Sequence, residues 1–334
     1  EQNYSLNEPY PNTGNNFNVP ISFPASETTG SVELLITVTK VNGQENTSDQ
    51  KTAKGTLITI SKAVPQRVVL EEFTGTWCGW CPRGTVALNL LNQEFGDSVI
   101  TIAVHNGDPM KASSYTLGSN SNPSSMVNRG YLIDPYYGSS GERFGIRNDI
   151  ERELNNMVLV GITVSAAWAD EAQTVIQAET ETTFLTDADP TEYGIGYALL
   201  EDGMKGTGRS WAQNNFYSGK EYNDPNLLPM TTSPGWITDI EYNHVAVDAW
   251  SINNGVDNCF NNIEIDVPQK NVYLCDIAAN SLIQDKSRLS VVVLLIDRKN
   301  SKIINAAKTT IKDYDPSAIR DKAKIGRASC RERV

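Results

Sequence analysis

Histidine is almost missing from this chain: His105 and His244 are the only two in 334 residues, with no His-x-x-x-His spacing and no Glu-His cluster. That excludes the common catalytic metal centres. Long apolar runs are missing too, and no stretch approaches the roughly 18 to 20 residues of a membrane-spanning helix. Basic residues are in deficit, 28 Lys and Arg against 40 Asp and Glu. The resulting net charge of −12 disfavours nucleic acid, whose phosphates demand basic patches. There is no internal repeat and no low-complexity run. The acidic pairs Asp187-Ala188-Asp189 and Asp313-Tyr314-Asp315 lack the ligand number and glycine spacing of an EF-hand loop, so they read as solvated turns. What is present is a chain with 39% hydrophobic residues, long enough for two or three domains with real cores.

One segment has chemistry that can be named, Trp77-Cys78-Gly79-Trp80-Cys81-Pro82. Val68, Leu70 and Glu72 alternate with Val69, Glu71 and Phe73 as a strand does, and Thr74-Gly75-Thr76 turns the chain into the motif. From Pro82 the spacing becomes helical, with Val86, Leu90, Leu91 and Phe95 as the apolar positions. Residues 99–104 form a second apolar strand. A C-x-x-C within such a βαβ unit reads as a redox dithiol. The free N–H groups and positive dipole end of a helix lower the pKa of the first thiol, making Cys78 the attacking sulfur and Cys81 the resolving one. A permanent disulfide, or half of a zinc site, stays open as an alternative.

The unit resembles the thioredoxin fold, and that resemblance implies further residues. A proline, usually cis, would lie against the dithiol, and Pro123, preceded by Asn122, is the one in the right place. A buried acid six residues before the first cysteine would take the proton of the resolving thiol. That position is Glu72, although a one-residue offset would put Glu71 there and leave Glu72 in solvent. Trp77 and Trp80 flank the sulfurs as an apolar platform for a substrate chain, with Gly79 between them.

Residues 71–84, Ile102-Ala103-Val104-His105-Asn106-Gly107-Asp108, residues 123–129 and Tyr242-Asn243-His244-Val245 together resemble the outer membrane protein 28-like family of Bacteroidetes, over roughly residues 64–311. The family implies a thioredoxin-like domain followed by a β-rich one, in cell-envelope proteins often anchored as lipoproteins.

Around the α/β thioredoxin-like part, expected at 66–157, the pattern is all β. Residues 1–65 read as a small immunoglobulin-like module: strands at 17–23, 32–38 and 57–60, a turn at Val41-Asn42-Gly43 and an exposed loop at 47–52. A last helix carrying Ile146, Ile150, Leu154 and Met157 would close the redox domain. Residues 158–313 alternate with period two around Trp168, Phe184, Tyr197, Val247 and Val293, as in a C-terminal β-sandwich of jelly-roll or immunoglobulin-like topology. The insert at 203–239 is too long for a turn; binding loop and packed decoration both stay open. Cys259 and Cys275 permit a structural disulfide, two buried thiols are nearly as compatible, and a zinc site shared with Cys78 and Cys81 is disfavoured by spacing. His105 and His244 read as structural.

The tail, 314–334, ends in residues 325–334, which resemble the in-frame translation of a sequencing adapter; Cys330 is therefore set aside. The chain begins at Glu1 without methionine or signal segment, so a lost targeting sequence or lipid anchor is expected to supply any membrane association. The expectation is a thiol-disulfide oxidoreductase of the cell envelope, with protein thiols or disulfides and an envelope redox protein as partners, and neither cofactor nor metal. The alternative is a non-catalytic binding or structural protein with a fixed Cys78–Cys81 disulfide.

Overall fold

The computed structural model describes residues 21–22 and 28–316. Most of the strand expected at 17–23 and the tail from 317 onward, with Cys330, lie outside the described residues. Two compact units emerge, Glu1–Thr59 and Ile60–Val334.

In the first unit, β1 (Gly30–Thr37) pairs antiparallel along its length with β4 (Thr52–Thr59). Between them β2 (Lys40–Val41) and β3 (Gln44–Glu45) form a minimal hairpin. Its turn is Asn42-Gly43, with φ of 52° and 79°, the left-handed backbone that a two-residue type I′ turn requires. Val32, Leu35 and Ile58 are exposed, and a single ladder of this kind is marginal by itself.

The second unit is built on one mixed sheet. In chain order its elements are β5 (Val68–Thr74), α1 (Pro82–Phe95), β6 (Val99–His105), β7 (Ser124–Val127), α2 (Ile146–Leu154), β8 (Val160–Trp168), β9 (Val175–Phe184) and β10 (Tyr193–Glu201). A two-residue pair, β11 (Gln213–Asn214) and β12 (Trp236–Ile237), brackets the short α3 (Leu228–Thr232). Then come β13 (Val245–Trp250), β14 (Gln269–Asp276), β15 (Leu289–Asp297) and β16 (Lys302–Lys312). Ten strands share the sheet in the order β14-β9-β8-β16-β15-β10-β13-β6-β5-β7. Among the described residues no helix is long and apolar enough to cross a membrane.

The sheet runs without a break between the stretches expected as separate redox and β domains. Its seam is short: β13 joins β6 in parallel at Val245 opposite Ala103, and the Ala103 N–H donates to the His244 carbonyl at 2.8 Å. On the other side β16 first pairs antiparallel with β15 and then, at Ile311 and Lys312, in parallel with β8. The sheet also curls onto itself. Tyr197 of β10 stacks on Tyr273 of β14 with ring centroids 4.4 Å apart, although four strands separate them in the sheet order. The core between these limbs includes Trp168, Ile176, Val291 and Val293.

β5 and β6 are buried on both faces, as expected of parallel strands covered on each side. On one side α1 lays down Ala87, Leu88 and Leu91 against Val68, Leu70 and Val99. Of the expected Val86, Leu90, Leu91 and Phe95, Leu91 belongs to this buried stripe and the other three flank it half-buried. α2 ends before Met157, which is exposed. One cysteine expectation is corrected. β14, invisible in the hydrophobic pattern, pairs along its length with β9 and carries Cys275 into the core as a free, fully buried thiol. The bridge that the sequence permits between Cys259 and Cys275 is therefore not formed.

Candidate functional site around Cys78 and Cys81

The site begins where β5 stops. Gly75 must be glycine: a Cβ there would lie 2.6 Å from Nε1 of Trp77 and 2.9 Å from the Asn106 carbonyl oxygen. That space lets the Trp77 indole fold back and donate to the Asn106 carbonyl at 2.7 Å. The Cys78 N–H then closes a turn onto the Gly75 carbonyl at 3.0 Å, and Cys81 sits at the N-cap of α1 with Pro82 as first helical residue. Cys78 and Cys81 form a disulfide with Cα atoms 5.3 Å apart. Cys81 is fully buried, and Cys78 is 5% exposed.

Both carboxylates of the Glu71-Glu72 pair are buried, so neither is solvated. They have opposite surroundings. Glu71 faces Arg129, whose Nε and Nη2 donate to it at 3.2 Å, and Tyr115, whose hydroxyl donates at 2.6 Å. Glu72 lies under the first turn of α1, where its Oε1 is 1.9 Å from the point a Gly84 Cβ would occupy. Gly84 is thus required by the carboxylate. Oε1 of Glu72 is buried without a hydrogen-bond partner. Burial, reinforced by the nearby Asp134 charge and offset by a Thr74 hydrogen bond and Arg83, raises its pKa from 4.5 to about 8. A carboxyl in this condition exchanges protons near neutral pH.

Pro123 precedes β7, which pairs antiparallel with β5 so that Ser124 stands opposite Phe73. The Asn122–Pro123 peptide is cis, and the Asn122 side chain donates to the Thr74 carbonyl at 3.3 Å. The β5 ladder thus holds Asn122 and Pro123 at the strand end from which the dithiol turn departs. Trp80 is half-buried, in edge contact with Phe216 and Tyr217 and with the Lys220 ammonium 4.3 Å from its ring centre.

Those last three residues belong to the long insert, and the insert forms a strap across the motif. The Asn214 N–H donates to the Thr76 carbonyl at 2.7 Å, the Asn214 side chain to the Trp77 carbonyl at 3.0 Å, and the Gln213 amide to the Cys78 carbonyl at 2.9 Å. The Phe216 N–H donates to the Gly79 carbonyl at 2.8 Å. The Phe216 ring stands 2.4 Å from where a Gly79 Cβ would be, so glycine between the cysteines makes room for the strap. Sequence reasoning left open whether this insert binds or only packs, because nothing in its composition points 135 residues back along the chain. Asp108 went unassigned as well. Its Oδ2 accepts from the Thr76 N–H at 2.9 Å and from His105 Nδ1 at 2.7 Å, tying the motif turn to the end of β6.

No family model and no curated protein matches the chain. Among solved structures it is similar to HBP35 of Porphyromonas gingivalis, at 19% identity over 78% of this chain and 80% of that one, with a TM-score of 0.51. It also overlays on protein AGR_C_4864 from Agrobacterium tumefaciens (15% identity, 74% of this chain, 95% of that one, TM-score 0.39). A third overlay is on a domain of the outer membrane lipoprotein Omp28 from Porphyromonas gingivalis (12% identity, 48% of this chain, 93% of that one, TM-score 0.25). Only the first exceeds a TM-score of 0.5, and it speaks to fold alone.

Proposed function

We propose that this chain is a thioredoxin-like thiol-disulfide oxidoreductase of the bacterial cell envelope, acting on protein thiols or disulfides. The observation that carries the reading is the disulfide at the head of α1 with a buried carboxyl beneath the same helical turn, one oxygen of which has no hydrogen-bond partner. In the reductive direction the Cys78 thiolate attacks a substrate disulfide, and the first substrate sulfur leaves as a thiolate. Cys81 gives its proton to Glu72 in its ionised form, which gains population as the pH rises toward 8, and attacks the Cys78 sulfur. The Cys78–Cys81 bond closes, the second substrate thiolate leaves, and two electrons have passed to the substrate. The reverse sequence oxidises a dithiol. Pro123 and Asn122 would support the substrate backbone, and Trp77 and Phe216, both exposed, would give it an apolar rim. The envelope location rests on the sequence resemblance of residues 71–84 and the later motifs.

The resolving role of Cys81 makes a direct test. With a disulfide substrate, Cys81→Ser is expected to accumulate a mixed disulfide through Cys78, detectable as a substrate-sized mass increase lost on reduction. Cys78→Ser should accumulate none, and both should reduce insulin no faster than the uncatalysed reaction. Equal trapping by both variants would refute the assignment. The strap favours a second reading, a binding protein in which the disulfide is permanent, because hydrogen bonds from Gln213, Asn214 and Phe216 to the carbonyls of Thr76, Trp77, Cys78 and Gly79 hold the strap over the motif.

A further inference from the structure

The two histidines, 139 positions apart in the chain, meet at one place. Both line a cavity of about 20 Å³ whose wall also includes Glu72, Thr74, Gln213 and Tyr242. That volume has room for about one water, and its polar lining offers the partners a water needs. Asp108 is an acceptor only, so its 2.7 Å contact puts a proton on Nδ1 of His105 and leaves Nε2 as the basic nitrogen of that ring. Asp108 also accepts from the backbone N–H groups of Thr76 and Met110, which holds the carboxylate in place to balance an imidazolium. His244 is placed differently. Its Nε2 is 2.9 Å from the Asn92 amide nitrogen, which donates to it, and its other ring nitrogen is 3.4 Å from Asp202. Burial, with a smaller contribution from Lys308, lowers its pKa against the pull of Asp202.

We propose that Glu72 and the His105–Asp108 pair form one proton-sharing unit, in which a water in this cavity passes the proton taken from the resolving thiol on to His105 Nε2. The proposal rests on the oxidoreductase reading for its purpose. The charged and titratable groups facing the unit are Asp134 and Arg83 toward Glu72, and Tyr242 and His244 across the cavity. Cys81 loses a proton to Glu72, and the water lets Glu72 and His105 share it beside the Asp108 carboxylate. The Cys78–Cys81 pair is then a disulfide, and a reducing dithiol partner that supplies two electrons returns it to the dithiol while the unit gives the proton back to Cys81. His105 acts through Glu72 and is a positioning and relay residue rather than one that touches the sulfurs.

The test that needs no turnover is the carboxyl titration of Glu72, followed by carbon-13 NMR in the oxidised full chain. In the wild type it is expected to be centred near pH 8. In His105→Asn, or in Asp108→Asn should the first variant fail to fold, the midpoint is expected to move by about one pH unit, as for interacting sites. The rate at which Cys81 resolves a mixed disulfide should fall at least about tenfold in His105→Asn, with a displaced pH profile. The double variant Glu72→Gln/His105→Asn should be no slower than Glu72→Gln alone, since the two act in series. An unmoved Glu72 midpoint, an equal movement in His244→Asn, or additive rate losses would overturn the proposal. A wild-type chain that resolves no mixed disulfide would instead sink the oxidoreductase reading, while the NMR midpoint would still decide whether Glu72 and His105 are paired.

Discussion

Glu72→Gln is expected to make the protein more stable at pH 8.5 and to leave it nearly unchanged at pH 4. The wild-type carboxyl titrates near pH 8 when folded and near 4.5 when unfolded. Between these values the folded chain holds a proton that the unfolded chain has released, so stability falls as pH rises. The contribution is fully present below pH 4.5, declines by about 1.4 kcal/mol per pH unit, and is gone once the pH has passed 8. Summed over the interval, the wild type loses several kcal/mol that the neutral amide keeps. Urea unfolding of the oxidised protein at pH 4 to 9 reads the effect as a difference between variant and wild type. The difference is the proper readout because His244, whose pKa burial lowers, contributes a slope of opposite sign to both proteins. Parallel curves for the two proteins would mean that Glu72 is not buried in its neutral form.

Arg129→Ala should destabilise the fold by about 3–5 kcal/mol, the usual consequence of removing one partner of a buried ion pair. Arg129 and Glu71 have side-chain exposures of 4% and 0%. The guanidinium also donates from Nη1 to the Asn253 carbonyl at 3.1 Å, linking strand β5, through Glu71, to the segment after β13. Without it, the Glu71 carboxylate keeps only the Tyr115 hydroxyl. The double variant Glu71→Leu/Arg129→Met is expected to recover much of the loss, since the stranded charge goes with its partner. Equal stabilities for the single and double variants by urea unfolding would show that the cost is lost packing rather than an uncompensated charge.

These two neighbouring glutamates show where sequence reading reaches its end. The pattern from Val68 to Val104 made the strand, turn, helix and strand legible, because burial on both faces of β5 and the Pro82 start of α1 leave local marks. It could not show that both glutamates are buried, since alternation predicts one inside and one outside. Arg129, the charge that makes Glu71 tolerable, lies 58 positions away. β14 escaped because its inward face contains Asn271 beside Tyr273 and Cys275, which spoils the apolar period. The continuity of the sheet depends on one parallel bridge between Val245 and Ala103, and such long-range pairings have no local signature. For the same reason the strap, Asp108 and the meeting of His105 with His244 emerged only from the structure.

The most direct test of the central claim, an exchange-active dithiol, is the reduction potential of Cys78–Cys81 measured by equilibration with glutathione and dithiothreitol, alongside insulin reduction by the same sample. An active dithiol should equilibrate at a potential above about −300 mV and accelerate insulin reduction. A potential below that value with no acceleration would identify the disulfide as a permanent structural bond and contradict the account.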